Sequence, residues 1–137
     1  MNVLFTILSF ALICGILLSP FLIFKYINKR ILRGKFIVYL VLGILITTGL
    51  IFLFAWWTTF SDEILLSNYG YNFEGLNEVE RYENVNPENL KKVKEIEVGL
   101  SGIGWLLKAF FGSISCFFYL LAAYFIIFIV KKSKATN

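Results

Sequence analysis

Three long apolar stretches, separated by short polar segments, dominate the hydrophobic pattern of this chain. They cover residues 3–24, 36–57 and 109–130, and each is 22 residues long without an ionised side chain. As an α-helix, such a stretch extends about 33 Å, which is enough to cross a hydrocarbon core of about 30 Å. The pattern therefore predicts an all-α integral membrane protein with three transmembrane helices.

The polar segments differ in the sign of their charge. All nine acidic residues of the chain lie within residues 62–97. The segments at residues 25–35 and 131–134 contain only basic charge, at Lys25, Lys29, Arg30, Arg33, Lys35, Lys131, Lys132 and Lys134. Because Lys and Arg close to a span favour the cytoplasmic side, this asymmetry predicts an N-terminus outside the cell and a C-terminus in the cytoplasm.

The composition also favours a single domain in a bilayer. Hydrophobic residues make up 58% of the chain and charged residues 16%, against about 25% charged in a typical soluble domain. The polar segments leave too few residues for a separate soluble core. The predicted organisation of residues 1–137 is a first span at 3–24, a cytoplasmic loop at 25–35, a second span at 36–57, an outer loop at 58–97, an interfacial segment at 98–108, a third span at 109–130 and a cytoplasmic tail at 131–137. Size and topology favour a bacterial inner (cytoplasmic) membrane.

Four side chains are candidate anchors at the outer membrane surface. Trp56 and Trp57 end the second apolar stretch, and Trp105 precedes the third. Indole rings prefer the boundary between headgroups and hydrocarbon. Lys108 stands just before the third span, where its ammonium group can extend to the same interface while its methylenes remain in the apolar region.

Small residues predict where the first two helices pack. Ala11, Gly15 and Ser19 recur every four residues on one face of the first span, and Gly43 and Thr47 have the same interval in the second. Helices in lipid associate where small residues let their backbones approach. Gly15 and Gly43 lie at nearly the same depth, so these faces are expected to touch, and Gly15→Leu is expected to destabilise the helical hairpin.

The third span has a small-residue face of its own, which includes Gly112 and Cys116. Such a face has two uses, since it can close a three-helix bundle or dock on another membrane protein. The sequence leaves both open.

The outer loop changes character at Asn86 and Pro87. Before this point the chain is rich in Asn and Gly, which predicts irregular structure or a short hairpin. After it, Asn86 is a suitable N-cap and Pro87 a suitable first helical residue, so a short amphipathic helix is predicted over residues 87–97. The candidate partner surface of this loop consists of Tyr69, Tyr71, Leu90 and Val93.

The reactive side chains are few. The chain has no His and two Cys, and no acidic residue falls within a predicted span. Zinc sites of the usual Cys and His types need more ligands than this. Cys14 and Cys116 differ in estimated depth by roughly 6 Å, which disfavours a disulfide, so both are expected to be packing residues. We expect no catalytic residue, no metal and no cofactor.

These features favour a small, non-catalytic subunit or assembly factor of a larger inner-membrane complex. Its expected partners are the lipid bilayer and other integral membrane subunits, contacted through the small-residue helix faces and the acidic outer loop, and no nucleic acid is expected. The basic flanks are expected to attract anionic lipid without specificity. A homo-oligomeric pore is one alternative, since three spans with a basic cytoplasmic tail resemble the topology of one class of phage holins, although the long outer loop departs from that pattern. An immunity protein against a membrane-active toxin is the other alternative.

Overall fold

The computed structural model describes residues 2–30 and 34–136, and within them it contains helices and no strand. The elements are α1 (Asn2–Arg30), α2 (Lys35–Asn68), α3 (Glu78–Tyr82), a 3₁₀ helix (Pro87–Asn89), α4 (Leu90–Ser101) and α5 (Trp105–Thr136). Three of them, α1, α2 and α5, are long and apolar enough to cross a membrane. The predicted all-α class with three candidate spans is confirmed, whereas the side of the membrane reached by each helix end stays a prediction. Arg33 and the side chains of Arg30 and Lys134 lie outside what the structure describes.

The second long helix extends well beyond the apolar stretch that predicted it. α2 has 34 residues, or about 51 Å at 1.5 Å per residue. Residues 58–68 contain neither Gly nor Pro, so nothing in them stops the helix. It ends at Asn68, and around Gly70 the amide of Tyr71 donates to the Leu66 carbonyl and that of Gly70 to the Ser67 carbonyl.

Gly70 is required at this helix end for two reasons. Its φ of +84° is a conformation that L side chains rarely adopt. A Cβ at this position would also overlap the carbonyl oxygen of Asn84. The paired hydrogen bonds around it are those of a Schellman motif, which turns the chain sharply after a helix.

The chain divides into two compact units. The first, here called the bundle, comprises residues 1–54 and 109–137, and the second, here called the acidic module, comprises residues 55–108. The bundle contains eight basic residues and no acidic one, whereas the acidic module contains all nine acidic residues and five basic ones. Each unit has its own buried core.

Tyrosine hydroxyls connect the three helices of the bundle. Tyr39 on α2 donates to the Leu120 carbonyl of α5 at 3.1 Å, and Tyr119 on α5 donates to the Leu17 carbonyl of α1 at 2.7 Å. Tyr124 packs edge-on against Phe24 of α1, with ring centroids 5.7 Å apart. α5 therefore contacts both other helices, which decides in favour of the closed three-helix bundle.

A proline inside α1 is accommodated by hydroxyl groups. Pro20 has no backbone N–H, so it leaves the carbonyl of Ile16 without its usual partner in the helix. The Ser19 hydroxyl donates to that carbonyl at 2.8 Å. The next carbonyl, that of Leu17, accepts the hydrogen bond from Tyr119. The proline frees only the Ile16 carbonyl, and in a bilayer the Ser19 hydroxyl replaces the water that would otherwise satisfy that group.

The predicted contact between Gly15 and Gly43 is wrong. A Cβ built on Gly43 would lie 3.1 Å from a methyl group of Leu120, so this glycine faces α5. A Cβ built on Gly15 would meet no atom within 4 Å. The reason is that Leu120, a large side chain that is fully buried, occupies the space that Gly43 leaves open.

The other predicted packing residues of the bundle lie mostly between α2 and α5. Gly112 faces Ile51, with 3.0 Å between a built Cβ and the nearest methyl group. Thr47 and Cys116 are both buried, and their side chains are within hydrogen-bonding reach of each other. The Thr47 hydroxyl also donates to the Gly43 carbonyl at 2.6 Å. Small side chains thus serve the α2–α5 contact more than the α1–α2 contact.

The acidic module is built around four buried side chains, Leu66, Tyr71, Val85 and Val93. They come from α2, the segment after it, the segment after α3, and α4. Asn77 caps the short helix α3, because its side chain accepts from the Glu80 amide at 2.9 Å. The segment between Gly70 and Pro87 therefore contains a short capped helix, and no hairpin forms there.

The helical segment after Asn86 also differs in detail from the predicted helix over residues 87–97. It starts as a 3₁₀ turn at Pro87–Asn89 and continues as α4 to Ser101. Asn86 makes no side-chain capping hydrogen bond, although its carbonyl accepts from the Asn89 amide at 2.8 Å. The helix stops at Ser101, before Gly102 and Gly104.

Candidate functional site

The acidic module holds one carboxylate at the centre of a hydrogen-bond network. Glu97 on α4 accepts from the Tyr71 hydroxyl at 2.6 Å and, through its other oxygen, from the Tyr82 hydroxyl. Arg81 lies 3.7 Å from the first of these oxygens. The network connects α4 to α3 and to the segment after α2, so it fixes the fold of the module around its core.

The same contacts shift the proton affinities of the groups involved. The hydrogen bonds from Tyr71 and Tyr82, together with the positive charges of Arg81 and Lys94, hold the pKa of Glu97 below its usual range. Burial and the bond to the Glu97 carboxylate raise the pKa of Tyr71 and of Tyr82. At neutral pH Glu97 is therefore ionised and accepts hydrogen bonds, whereas both tyrosines are protonated and donate them.

The candidate partner surface predicted for this segment is wrong for two of its four residues. Tyr71 is only 8% exposed and Val93 is fully buried, because both belong to the core of the module itself. Tyr69 and Leu90 are partly buried. On α4, Val93 is covered by other side chains of the module itself.

A different set of apolar side chains is exposed on the acidic module. Leu76 is 91% exposed, Val79 79% and Phe73 51%. Leu76 and Val79 flank the cap of α3, and Phe73 packs edge-on against Tyr71 with ring centroids 5.0 Å apart. Sequence reasoning missed these residues, since isolated apolar side chains among turn formers show no periodicity that would mark them.

The structure shows where the four predicted interface anchors lie and what three of them contact. Trp56 stacks on Phe60, with ring centroids 5.3 Å apart, and Trp57 lies 6.1 Å from the same ring. Trp105 is the first residue of α5. Lys108 donates to the Gly99 carbonyl at 2.9 Å, so its ammonium group interacts with one of the last carbonyls of α4, where the helix dipole favours positive charge.

One predicted packing face of the bundle is uncovered. Ala11 is exposed and Gly15 has open space beside it, whereas Ser19 on the same face is buried. We call Ala11 and Gly15 the α1 small-residue face. The buried residues described on α1 are Ser19, Pro20, Ile23 and Ile27, which all lie in the half of the helix that follows this face.

The side chains with metal-binding or redox chemistry do not converge. Within residues 2–30 and 34–136, no three His, Cys, Asp or Glu side chains lie close enough to hold a metal ion. Cys14 and Cys116 are both free thiols, as the difference in their depth predicted.

Two features of the described residues are thus exposed, the α1 small-residue face and the apolar side chains of Phe73, Leu76 and Val79 on the acidic module. Comparisons with known proteins add no further assignment. No protein-family model, curated protein sequence or solved structure matches this chain.

Proposed function

We propose that this chain is a non-catalytic integral membrane subunit, or an assembly or stabilising factor, of a larger complex in a bacterial inner membrane. The observation that carries the proposal is the uncovered α1 small-residue face, at which a Cβ on Gly15 would meet no atom within 4 Å. The proposal includes the orientation with the N-terminus outside and the C-terminus in the cytoplasm.

The physical argument concerns what small residues contribute in lipid. A Gly on a lipid-facing surface gains nothing from the bilayer and lowers helix propensity by about 1 kcal/mol relative to Ala. Its advantage is close approach of a second helix, with the van der Waals contacts that this approach allows. Gly43 and Gly112 have such neighbours inside the bundle, whereas Gly15 has none, so a helix of another subunit is the proposed neighbour of Gly15.

The acidic module supplies the second contact in this proposal. With nine acidic and five basic residues, its net charge is −4. Its exposed Leu76 and Val79 are separated by only three positions and lie beside α3. A partner domain with an apolar patch bordered by basic side chains would complement this surface.

The proposal is tested by purifying the full-length chain in mild detergent through a C-terminal tag and identifying stoichiometric partners by mass spectrometry. We expect foreign membrane subunits to co-elute with the natural sequence. Gly15→Leu should reduce their recovery on the order of tenfold, because a bulky side chain on a close-packed face costs about 1–3 kcal/mol.

Gly49→Leu is the matched control, since Gly49 on α2 also has no neighbour within 4 Å of a built Cβ, but the residues four before and four after it, Leu45 and Leu53, are large and leave no small-residue face for a second helix. It should retain the partners. Recovery of this chain alone, as a defined oligomer, would contradict the subunit proposal and favour the holin-like pore, which conductance measurements would then examine. Co-elution of a membrane-active toxin would favour the immunity alternative.

A further inference from the structure

The end of the bundle that carries the basic segments contains a cavity of about 510 Å³. Its wall includes the aromatic rings of Phe24, Tyr39 and Tyr124, and its rim includes Lys35, Lys131 and Lys132. These residues come from the end of α1, the start of α2 and the last part of α5. A cavity of this size falls within the range that binds small ligands, about 300–1,000 Å³.

Two of the three lysines of this cavity contact other residues that line it. The Lys131 ammonium group lies 4.8 Å from the centroid of the Phe24 ring, in a cation–π contact. The Lys35 ammonium group lies 3.5 Å from the side-chain oxygen of Asn28. Phe24 and Asn28, which also line the cavity, therefore position these two ammonium groups.

The sequence of the bundle is rich in basic side chains and has no acidic ones. Residues 1–54 and 109–137 contain eight basic side chains and neither Asp nor Glu. Positive side chains around a partly apolar cavity attract an anion, and the aromatic wall requires that the anion also carry an apolar part. The complementary ligand is an anionic amphiphile.

The position of the lysines along the helices identifies the kind of amphiphile. Lys35 immediately precedes the apolar stretch of residues 36–57, and Lys131 immediately follows that of residues 109–130. Side chains at the ends of spans lie at the depth of the lipid headgroups. A phospholipid presents its phosphate at that depth and its acyl chains in the adjoining hydrocarbon.

We propose that this cavity is a specific site for one anionic phospholipid, with its headgroup between Lys35, Lys131 and Lys132 and an acyl chain along Phe24, Tyr124 and Phe128. The inference goes beyond the general attraction of basic flanks for anionic membranes, because it assigns the lipid to defined side chains. It does not depend on the proposed subunit role.

Native mass spectrometry of the full-length protein in detergent tests this site. The protein is titrated with phosphatidylglycerol, which is anionic, and separately with phosphatidylcholine, which is zwitterionic. We expect one phosphatidylglycerol to bind in preference to phosphatidylcholine. Lys35→Gln combined with Lys131→Gln should weaken that binding on the order of tenfold, since each basic residue near a membrane surface contributes appreciably to anionic lipid attraction.

Two matched controls separate the site from net charge and from hydrophobicity. Lys25→Gln combined with Lys29→Gln removes the same charge from exposed positions of α1 that do not line the cavity, and should leave the binding unchanged. Phe128→Ala should weaken binding at unchanged charge, whereas Phe125→Ala, outside the cavity, should not.

Equal binding of the two lipids would overturn the proposal. So would an equal loss of binding in the two double-lysine variants, because that result would show attraction by charge alone. Circular dichroism of each variant verifies that helical structure is retained.

Discussion

At the scale of single residues, the bundle depends on hydroxyl groups that bind backbone carbonyls. Tyr39, Tyr119, Thr47 and Ser19 all donate to carbonyl oxygens. Within residues 2–30 and 34–136, no buried side-chain nitrogen or oxygen lacks a hydrogen-bond partner. In a medium without water an unpaired hydroxyl would cost several kcal/mol. The two bonds that cross between helices, from Tyr39 and Tyr119, therefore restrict how the helices can be arranged.

The residue with the clearest pH dependence is Glu97 of the acidic module. Its folded-state pKa is depressed by the tyrosine hydrogen bonds and the nearby positive charges. The stabilising contribution is therefore complete above the unfolded-state pKa of about 4.5 and is lost as the pH falls through the lower folded-state value. We expect hydrogen exchange in residues 69–101, corrected for the intrinsic rate, to accelerate below about pH 4.5.

Glu97→Gln should remove this dependence and lower the stability of the module at neutral pH by about 1–3 kcal/mol. Glu83→Gln is the control, because Glu83 is exposed and lies outside the network. An equal acceleration at low pH in the natural sequence and in Glu97→Gln would show that another group is responsible.

At the scale of elements, the contact between α2 and α5 brings two glycines close to side chains of the facing helix. Gly43 and Gly112 each approach a large aliphatic side chain of the other helix, at 3.1 and 3.0 Å from a built Cβ. Tyr39 adds a hydrogen bond across the same contact. α1 is connected to the other helices through Tyr119 and the aromatic cluster near Phe24.

Gly43→Leu is therefore expected to destabilise the bundle, because Leu120 fills the space beside Gly43 and is itself fully buried. Overpacking of this kind costs about 1–3 kcal/mol. Thermal unfolding of the full-length protein in detergent measures the effect. Gly15→Leu and Gly49→Leu should unfold at nearly the same temperature as the natural sequence, because both positions face open space. A large loss of stability in Gly15→Leu would instead support the original hairpin prediction.

At the scale of the whole molecule, charge separates the two units. The charged side chains of the bundle are all basic, whereas the acidic module has a net charge of −4. This division is what the positive-inside rule uses to orient a chain during insertion. The proposed orientation follows from it and is open to a direct test.

Single cysteines introduced after replacement of Cys14 and Cys116 by Ala provide that test. Glu83→Cys lies at an exposed position of the acidic module, and Ser133→Cys at an exposed position near the end of α5. A membrane-impermeant maleimide should label Glu83→Cys in intact spheroplasts and Ser133→Cys only in inverted vesicles. The opposite pattern would reverse the proposed topology.

The long apolar stretches of this sequence were sufficient to predict the class of protein and the number of candidate spans. A stretch of 22 predominantly apolar residues is long enough to cross a bilayer as a helix whatever their order. Hydrocarbon excludes unpaired backbone groups, and a helix satisfies them locally. Pro87 also marked the start of a helical segment, which begins as a 3₁₀ turn and continues as α4. These properties depend on neighbouring residues alone.

The identity of packing partners was decided only by the tertiary structure. The spacing of small residues predicted that Gly15 and Gly43 would both lie in a helix contact. Leu120 covers Gly43, whereas Gly15 has no such neighbour. The difference arises because a contact depends on the size and position of a side chain on another helix. In the same way, the apolar stripe of α4 did not reveal that Tyr71 and Val85 cover Val93. Sequence determined which segments are helical and apolar, whereas three-dimensional packing decided which of their faces remain available for lipid and for a partner.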